Sequence, residues 1–560
     1  MTLTPQSKDR SLCDLLIAAG CVTAAMIVLT WGLNLGGNLT DEVYAAICVR
    51  RYTESPLGLL SFYIGHLWSE TFGFSLLNLR ILCIVVQFIS MAVSCTYLYC
   101  HTRNLRFSAI VFLLGCVAMR LGAANFYNWD TGAFPFEAIA LWLLLAEIRK
   151  ISAAGILALG CACGLVTLAR TPSVFFLAAA VVILWFAIPK NFPAKRIFAV
   201  YALLTASFCI TLLVFSTIIL GSPFDYFRLF SQDSIISGHS PVSDIHMLFG
   251  RLAYISLLMP RTWAFGLGCL ALAILFPKIK NIRICGIILL CWLAYCVFDV
   301  YCYTKFDTTT YYCLGIDTPL GLALLLALPV YALFSRKEMR VDHQVSLSLW
   351  TCAAMLVAIA FGSDGYFTRM TAAFVIPFII PATLKKGNHA VTKFVKYLVG
   401  IALISFSAML VVHLWLVDRY LAKAETLAIG AYNGIKTDSS VYDYVKKTEK
   451  ATQYLRSKGI PYINIMNNLG TELAFGPDEG LSFQEFHHQL TESEFWFESK
   501  RDFIDRIDAV VYTDSEEYDL QPIVDDLVRE GFTLRLTLGD ACIMMRSDRK
   551  NPDKQYPKIK

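Results

Sequence analysis

About thirteen runs of roughly 16 to 22 apolar residues, divided by short polar connections, restrict this chain to one kind of fold, a bundle of helices in a bilayer. A run of that length spans the hydrocarbon core, and inside the core only a helix or a closed barrel satisfies every backbone N–H and C=O. The runs predict spans at 12–33, 76–99, 106–122, 133–148, 152–169, 172–189, 197–220, 262–277, 283–301, 316–334, 345–361, 370–384 and 396–416. Charge agrees with this reading, because every second connection is basic, as short cytoplasmic loops are. The basic connections carry Lys8 and Arg10; Arg103 and Arg106; Arg149 and Lys150; Lys190, Lys195 and Arg196; Lys278, Lys280 and Arg283; Arg336, Lys337 and Arg340; and Lys385, Lys386, Lys393 and Lys396. Connections between them hold almost no lysine, and 123–132 holds none. The amino terminus is therefore expected in the cytoplasm, and an odd number of spans carries the first connection and the tail to the outer face. The first run has no convincing small-residue cleavage site and reads as a retained span.

Composition excludes other classes. Of 560 residues, 56% are hydrophobic and 16% charged, unlike a soluble domain. The formal net charge of +5 hides an asymmetry: from Asp418 onward there are 19 Lys and Arg against 25 Asp and Glu, and before it 29 against 18. The basic excess follows the membrane part, so no nucleic-acid partner is expected. Most of the 18 cysteines lie inside apolar runs, among them Cys83, Cys95, Cys161, Cys163 and Cys291, where a thiol packs as a small apolar group. Neither a disulfide framework nor a CxxC metal pair is present.

The chemistry-bearing residues collect in the outer connections. The first, 34–75, opens with the acid pair Asp41-Glu42 and continues into SPLGLLSFYIGHLW, whose apolar and aromatic residues suit a helix lying in the interface. A carboxylate held at a water boundary is a candidate general base, although adjacent acids after a span are also common in plain solvated loops. The connection at 221–261 mixes aromatics, His and Arg with prolines and reads as an outer loop with short interfacial helices. Further outer segments hold Lys305 and Asp307, and Asp364 and Arg369.

From Asp418 the composition becomes that of a soluble domain. The stretch SSVYDYVKKTEKATQYLRSKG reads as a Ser-capped helix ending at Gly. IPYINIMN and AVVYT read as strands, QPIVDDLVREG as a helix, and FTLRLTLGDACIMMRS as a hairpin turning at Gly539-Asp540. The expected organisation is a multi-span domain over 1–417 and a small soluble α/β domain over 418–560. His487 and His488 diverge on either a strand or a helix and read as a surface pair rather than metal ligands.

An amino-terminal span entering from the cytoplasm, an Asp-Glu pair with a following Tyr in TDEVYAA, an interfacial helix, about a dozen further spans and an extracytoplasmic tail resemble the C-type (GT-C fold) glycosyltransferases. Within these the chain is most similar to the group using polyprenyl-phosphate sugars, which includes the protein O-mannosyltransferases and the lipid A aminoarabinose transferases. The resemblance covers 12–416 in architecture and is specific in sequence only around TDEVYAA. The WWDYG motif of oligosaccharyltransferases is absent from the tail, its nearest string being NWDTG at 128–132.

The resemblance implies transfer of a sugar, with inversion, from a polyprenyl phosphate to an acceptor lipid, glycan or protein on the outer face of a bacterial inner membrane, with the tail periplasmic. It implies Asp41 as base and Glu42 as helper, the reverse assignment staying open, with Tyr44 in support. A departing lipid phosphate gains negative charge, so fixed cations must await it. Arg80, Arg120, Arg170, Arg261 and Arg369 at outer ends of spans, and Lys305 in its loop, are the candidates; each alone also fits a lipid headgroup contact. Arg170, Arg369 and Lys305 are favoured because each sits in a short outer segment of low basic content. Asp130 matches a second acid often found in the family's second outer loop, or is a plain turn residue, and Glu137, in or beside the fourth span, reads as paired or functional. His66 faces acceptor or phosphate, or is a satisfied interfacial histidine. No cofactor or metal is expected, and the chain is expected to act as a monomer. The competing readings are a transporter or flippase of lipid-linked saccharides, an oligosaccharyltransferase-like enzyme with a diphosphate donor, and an assembly subunit of an envelope machine.

Overall fold

The computed structural model describes residues 5–36, 41–122, 126–189, 191–229, 260–306, 311–313, 351, 354, 389–437, 439–464, 507–513 and 521–547. The chain divides into two compact units. Unit 1 comprises Met1–Leu33, Ser55–Gly73 and Asn78–Tyr420; unit 2 comprises Asn34–Glu54, Phe74–Leu77 and Leu421–Lys560.

Unit 1 is helical. Its helices are α1 (Pro5–Thr30), α3 (Leu59–Phe72), most of α4 (Leu76–Thr102), α5 (Leu105–Gly122), α6 (Trp129–Glu147), α7 (Ala153–Ala169), α8 (Phe175–Ala187), α9 (Ala194–Leu220), α10 (Pro260–Leu275), α11 (Ile282–Tyr303) and α12 (His389–Tyr420), with α2 left for unit 2. Every predicted span up to 301, and the last at 396–416, coincides with a helix. Among the described residues, five stretches are long and apolar enough to cross a membrane: Leu12–Thr30, Leu76–Thr102, Ala194–Leu220, Ile282–Cys302 and Lys393–Tyr420. The predicted spans at 316–334 and 370–384 lie outside the described residues, and 345–361 is described only at Thr351 and Ala354. The outer segment 221–261 is described only at its two ends, and Asp364, Arg369, His487 and His488 lie outside the described residues.

Small residues set a close helix contact. Gly160 and Gly164, one turn apart on α7, face Ser207 and Thr211 of α9. A Cβ at Gly160 would clash with Ser207 Oγ and the Leu204 carbonyl oxygen, and one at Gly164 would sit 2.8 Å from Thr211 Cβ. This small-xxx-small spacing lets two backbones approach where dispersion, not water exclusion, holds helices together. Gly160→Leu is expected to separate α7 from α9, costing on the order of 1–3 kcal/mol, visible as a lower melting temperature in detergent. α12 packs against α5, α10 and α11. Trp292 of α11 donates its indole N–H to Ser405 Oγ of α12 at 2.8 Å, and that hydroxyl donates to the Ile401 carbonyl at 2.7 Å.

Unit 2 contains α2 (Asp41–Arg50), a short antiparallel pair β3 (Glu425–Thr426) and β4 (Lys436–Thr437), and a four-stranded sheet. The sheet strands are β5 (Tyr462–Asn464), β6 (Ala509–Thr513), β7 (Phe532–Leu538) and β8 (Ala541–Arg546), in order β5-β6-β8-β7, with β5 and β6 parallel and the rest antiparallel. Helix α13 (Ser439–Ser457) packs on β6 and β8, and α14 (Gln521–Arg529) on β7. Ala451, Leu455, Tyr462, Val511, Ile543 and Met545 form the apolar core. The periodicity of SSVYDYVKKTEKATQYLRSKG is realised in α13, which stops where Gly459 takes φ +61° and Ile460 N–H reaches back to the Leu455 carbonyl at 3.0 Å. The hairpin turns at Gly539, φ +65°, and Asp540.

Candidate active site

In unit 1, Arg170 organises the most buried ionisable cluster described. Pro172 ends α7: a proline removes the donor and forces the preceding residues out of helical geometry. Arg170 is therefore extended (φ −152°, ψ 101°), and a 3₁₀ turn, Thr171–Val174, follows. Its Nε donates to Asp130 Oδ1 at 2.7 Å and its Nη1 to Ser173 Oγ at 3.1 Å. Ser173 also hydrogen-bonds Glu137, whose carboxylate feels the Arg170 charge. Arg170, Asp130 and Glu137 are 1%, 2% and 3% exposed, so one guanidinium is paired with Asp130 and acts electrostatically on Glu137 away from solvent. Glu137 Oε1 has no hydrogen-bond partner among the described residues.

Asp130 is held by its own helix start. Asn128 caps α6, accepting from the Thr131 N–H while Thr131 Oγ1 receives the Asn128 N–H, both at 2.9 Å. Asp130 then lies in the first turn, where the helix dipole favours an anion. Beside it, α3 is fastened to α6 and α7. Ser61 Oγ donates to the Ala169 carbonyl at 2.8 Å, and Tyr127 donates its hydroxyl to the Ser61 carbonyl at 2.6 Å. Burial pushes the Tyr127 phenol well above its ordinary value, keeping it a donor. Gly132 is required here, since any Cβ would clash with Ser61 Oγ.

The stretch expected to lie in the interface forms the helix α3. It buries Leu59, Leu60, Ser61, Phe62, Gly65 and Ser69 and leaves Leu67 and Phe72 exposed; His66 is half-buried. Its end is tied to α4 by Trp68 Nε1, which donates to the Asn78 carbonyl at 3.0 Å. On that first turn of α4, Arg80 donates from Nη1 to the Leu33 carbonyl at 2.9 Å, and Arg120, at the end of α5, donates from Nη2 to the Trp31 carbonyl at 2.7 Å. Two buried guanidinium groups thus satisfy the last carbonyls beyond α1, the end of a helix that favours cations. Arg120 Nε is buried with no hydrogen-bond partner among the described residues, and the buried His413 of α12 lies within electrostatic reach of Arg120. Chain course and these bonds collect Arg80, Arg120, Asp130, Glu137 and Arg170 at one end of unit 1.

Lys305 lies in β1 (Thr304–Phe306), opposite Tyr312 of β2 (Tyr311–Cys313); the strands pack on α12 and α5 respectively. Arg261 lies in the first turn of α10. Both are described in backbone only.

In unit 2, Asp41 is the first residue of α2, described in its backbone, and Glu42 is 3% exposed. The helix that follows is covered on all sides: Val43, Ala45, Ala46, Ile47, Cys48 and Val49 are buried, and Tyr44 is half-buried. Ahead of it, Gly36 N–H donates to the Lys436 carbonyl at 2.9 Å and Lys436 N–H to the Asn34 carbonyl at 2.8 Å. Arg50 stacks on Phe74, 4.1 Å from the ring centroid.

Sequence reasoning did not single out Ser173, Ser61 or His413. The signal for Ser173 was present in RTPS, where a proline stop places the serine three residues after the arginine. Among the described residues, no three His, Cys, Asp or Glu side chains come together as a metal-binding set.

These features define a polytopic helical protein with several helices fit to cross a membrane and a buried ionisable cluster at one end of them. No protein-family model matches the chain, and no curated protein matches it. Among solved structures it is similar to ArnT from Cupriavidus metallidurans bound to undecaprenyl phosphate, at 12% identity and TM-score 0.42. It is likewise similar to ArnT from that organism in the apo state, at 13% identity and TM-score 0.44. Each likeness covers 94% of this chain and 97% of the other. At those scores neither assigns any residue here a role.

Proposed function

We propose that the chain is a membrane glycosyltransferase that moves a sugar from a polyprenyl-phosphate donor to an acceptor on the outer face of a bacterial inner membrane, inverting the anomeric centre. The observation that carries the reading is the helix α2, which opens on Asp41-Glu42 directly after the first span. Glu42 is buried, which suits an orienting residue and supports Asp41 as the base. Asp41 takes the acceptor proton as the acceptor oxygen attacks the anomeric carbon. The bond from that carbon to the phosphate oxygen breaks opposite the attack, and its electron pair leaves with the lipid phosphate.

The leaving phosphate calls for fixed cations, which act most strongly where water is excluded. Arg170 is already neutralised by Asp130, whereas Arg80 and Arg120 donate to uncharged carbonyls; this favours Arg80, Arg120, Arg261, Lys305 and Arg369 for that role and gives Arg170 the task of holding α6 to α7. The reading needs no cofactor, and the acceptor is a lipid, a glycan or a protein.

Inverted vesicles and intact cells loaded with labelled polyprenyl-phosphate sugars test this against a flippase. A transferase moves label from the polyprenyl lipid to another molecule. Label that crosses the bilayer still attached to polyprenyl phosphate would refute it.

A further inference from the structure

The tail hairpin is joined by backbone to the segment that leads into the acid-pair helix, and all of these residues belong to unit 2. Leu35 forms a parallel bridge with Lys436. Lys436 uses both of its backbone groups there, its N–H on Asn34 and its carbonyl on Gly36. The hairpin keeps its own bonds elsewhere: Leu427 N–H donates to the Ile435 carbonyl at 2.8 Å and Gly434 N–H to the Leu427 carbonyl at 3.0 Å. Leu427 and Ile435 are fully buried and Tyr432 is 2% exposed, so the hairpin is a firm support rather than a loose loop. Gly36 has φ +76°, a conformation that a side chain disfavours. Five residue steps separate Gly36 from Asp41, a reach of at most about 18 Å.

We infer that β4 is a positioning strand for the proposed transfer reaction: the Lys436 backbone, through Asn34 and Gly36, holds the segment that delivers Asp41 and Glu42. The tail thereby enters the reaction through kcat without touching the reacting atoms. The effect on rate rests on the transferase reading; the effect on the backbone rests on geometry alone.

Lys436→Pro removes the donor to Asn34 and spares the hairpin's internal bonds, whereas Lys436→Ala keeps both backbone groups. In the full-length protein in detergent, hydrogen exchange by mass spectrometry should show peptides covering 33–50 exchanging at least about tenfold faster in Lys436→Pro, with Lys436→Ala like wild type. Sugar transfer by Lys436→Pro should lose about 10- to 100-fold in kcat, with KM within about threefold, because misplacing a reacting group by about 1 Å costs on that order. Gly36→Ala, which leaves the tail unaltered, provides the same two readouts if the proline variant does not fold. Unchanged exchange in both variants overturns the clamp, and faster exchange with unchanged kcat overturns its role in positioning. Wild-type protein that transfers no sugar refutes the transferase reading and the rate effect with it, while the exchange result still decides the clamp.

Discussion

Asp41→Asn is expected to lower sugar transfer by about 10²- to 10⁴-fold, the range that removal of a positioned general base commands, with the amount of protein in the membrane unchanged. The substitution keeps size and hydrogen-bonding capacity and removes only the ability to accept a proton. A helix start tolerates Asn as well as Asp, so α2 is expected to form. Glu42 offers the contrast. It is 3% exposed and lies in the first turn of a helix buried on all sides, so Glu42→Gln should act through orientation, with a smaller loss in kcat. Rates for the two variants, measured against equal amounts of inserted protein, check the assignment; a larger loss at Glu42 than at Asp41 would reverse it.

Arg170→Met is expected to destabilise the protein by about 3–5 kcal/mol, the cost of leaving a buried charge without its partner. The geometry makes this site severe. Arg170 and Asp130 are 1% and 2% exposed, their contact is 2.7 Å, Ser173 accepts from the same guanidinium, and its charge also acts on Glu137. Removing it strands two carboxylates beside the ends of α6 and α7. Lysine does not repair the site, because an ammonium cannot supply the planar fork that serves Asp130 and Ser173 together. Melting temperature in detergent reads the loss. The double variant Arg170→Met with Asp130→Leu should recover part of it by taking away one stranded acid, a coupling that a double-mutant cycle resolves. Additive losses would mean that the pair contributes nothing jointly.

The helices were legible because a bilayer imposes length and apolarity on every span, and that pattern is local. Residues 76–99 and 197–220 announce α4 and α9 from hydropathy alone, and the glycine after Lys458 announces the end of α13. What the pattern hides is pairing. Arg170 reads as a cation waiting at the end of a span, and only the fold brings Asp130, forty residues earlier, into contact with it. Arg80 and Arg120 likewise read as open cations, yet both donate to carbonyls just beyond α1. Burial of α2 was also illegible, since DEVYAAICVR sits in a polar stretch and its burial is set by the tertiary fold rather than by local pattern. The hairpin at Lys305 was missed for a related reason, since three-residue strands carry too little alternation to stand out from a loop.

The central claim is that the chain breaks the bond between a sugar and a polyprenyl monophosphate. Its most direct test is the stoichiometry of lipid product: purified protein in liposomes, supplied with a labelled polyprenyl-phosphate sugar and a membrane extract as acceptor source, with free polyprenyl phosphate counted against sugar transferred. The account predicts one polyprenyl phosphate released for each sugar moved, and release reduced to background with Asp41→Asn. Sugar that remains on its lipid, polyprenyl diphosphate as the product, or undiminished release with Asp41→Asn would contradict it.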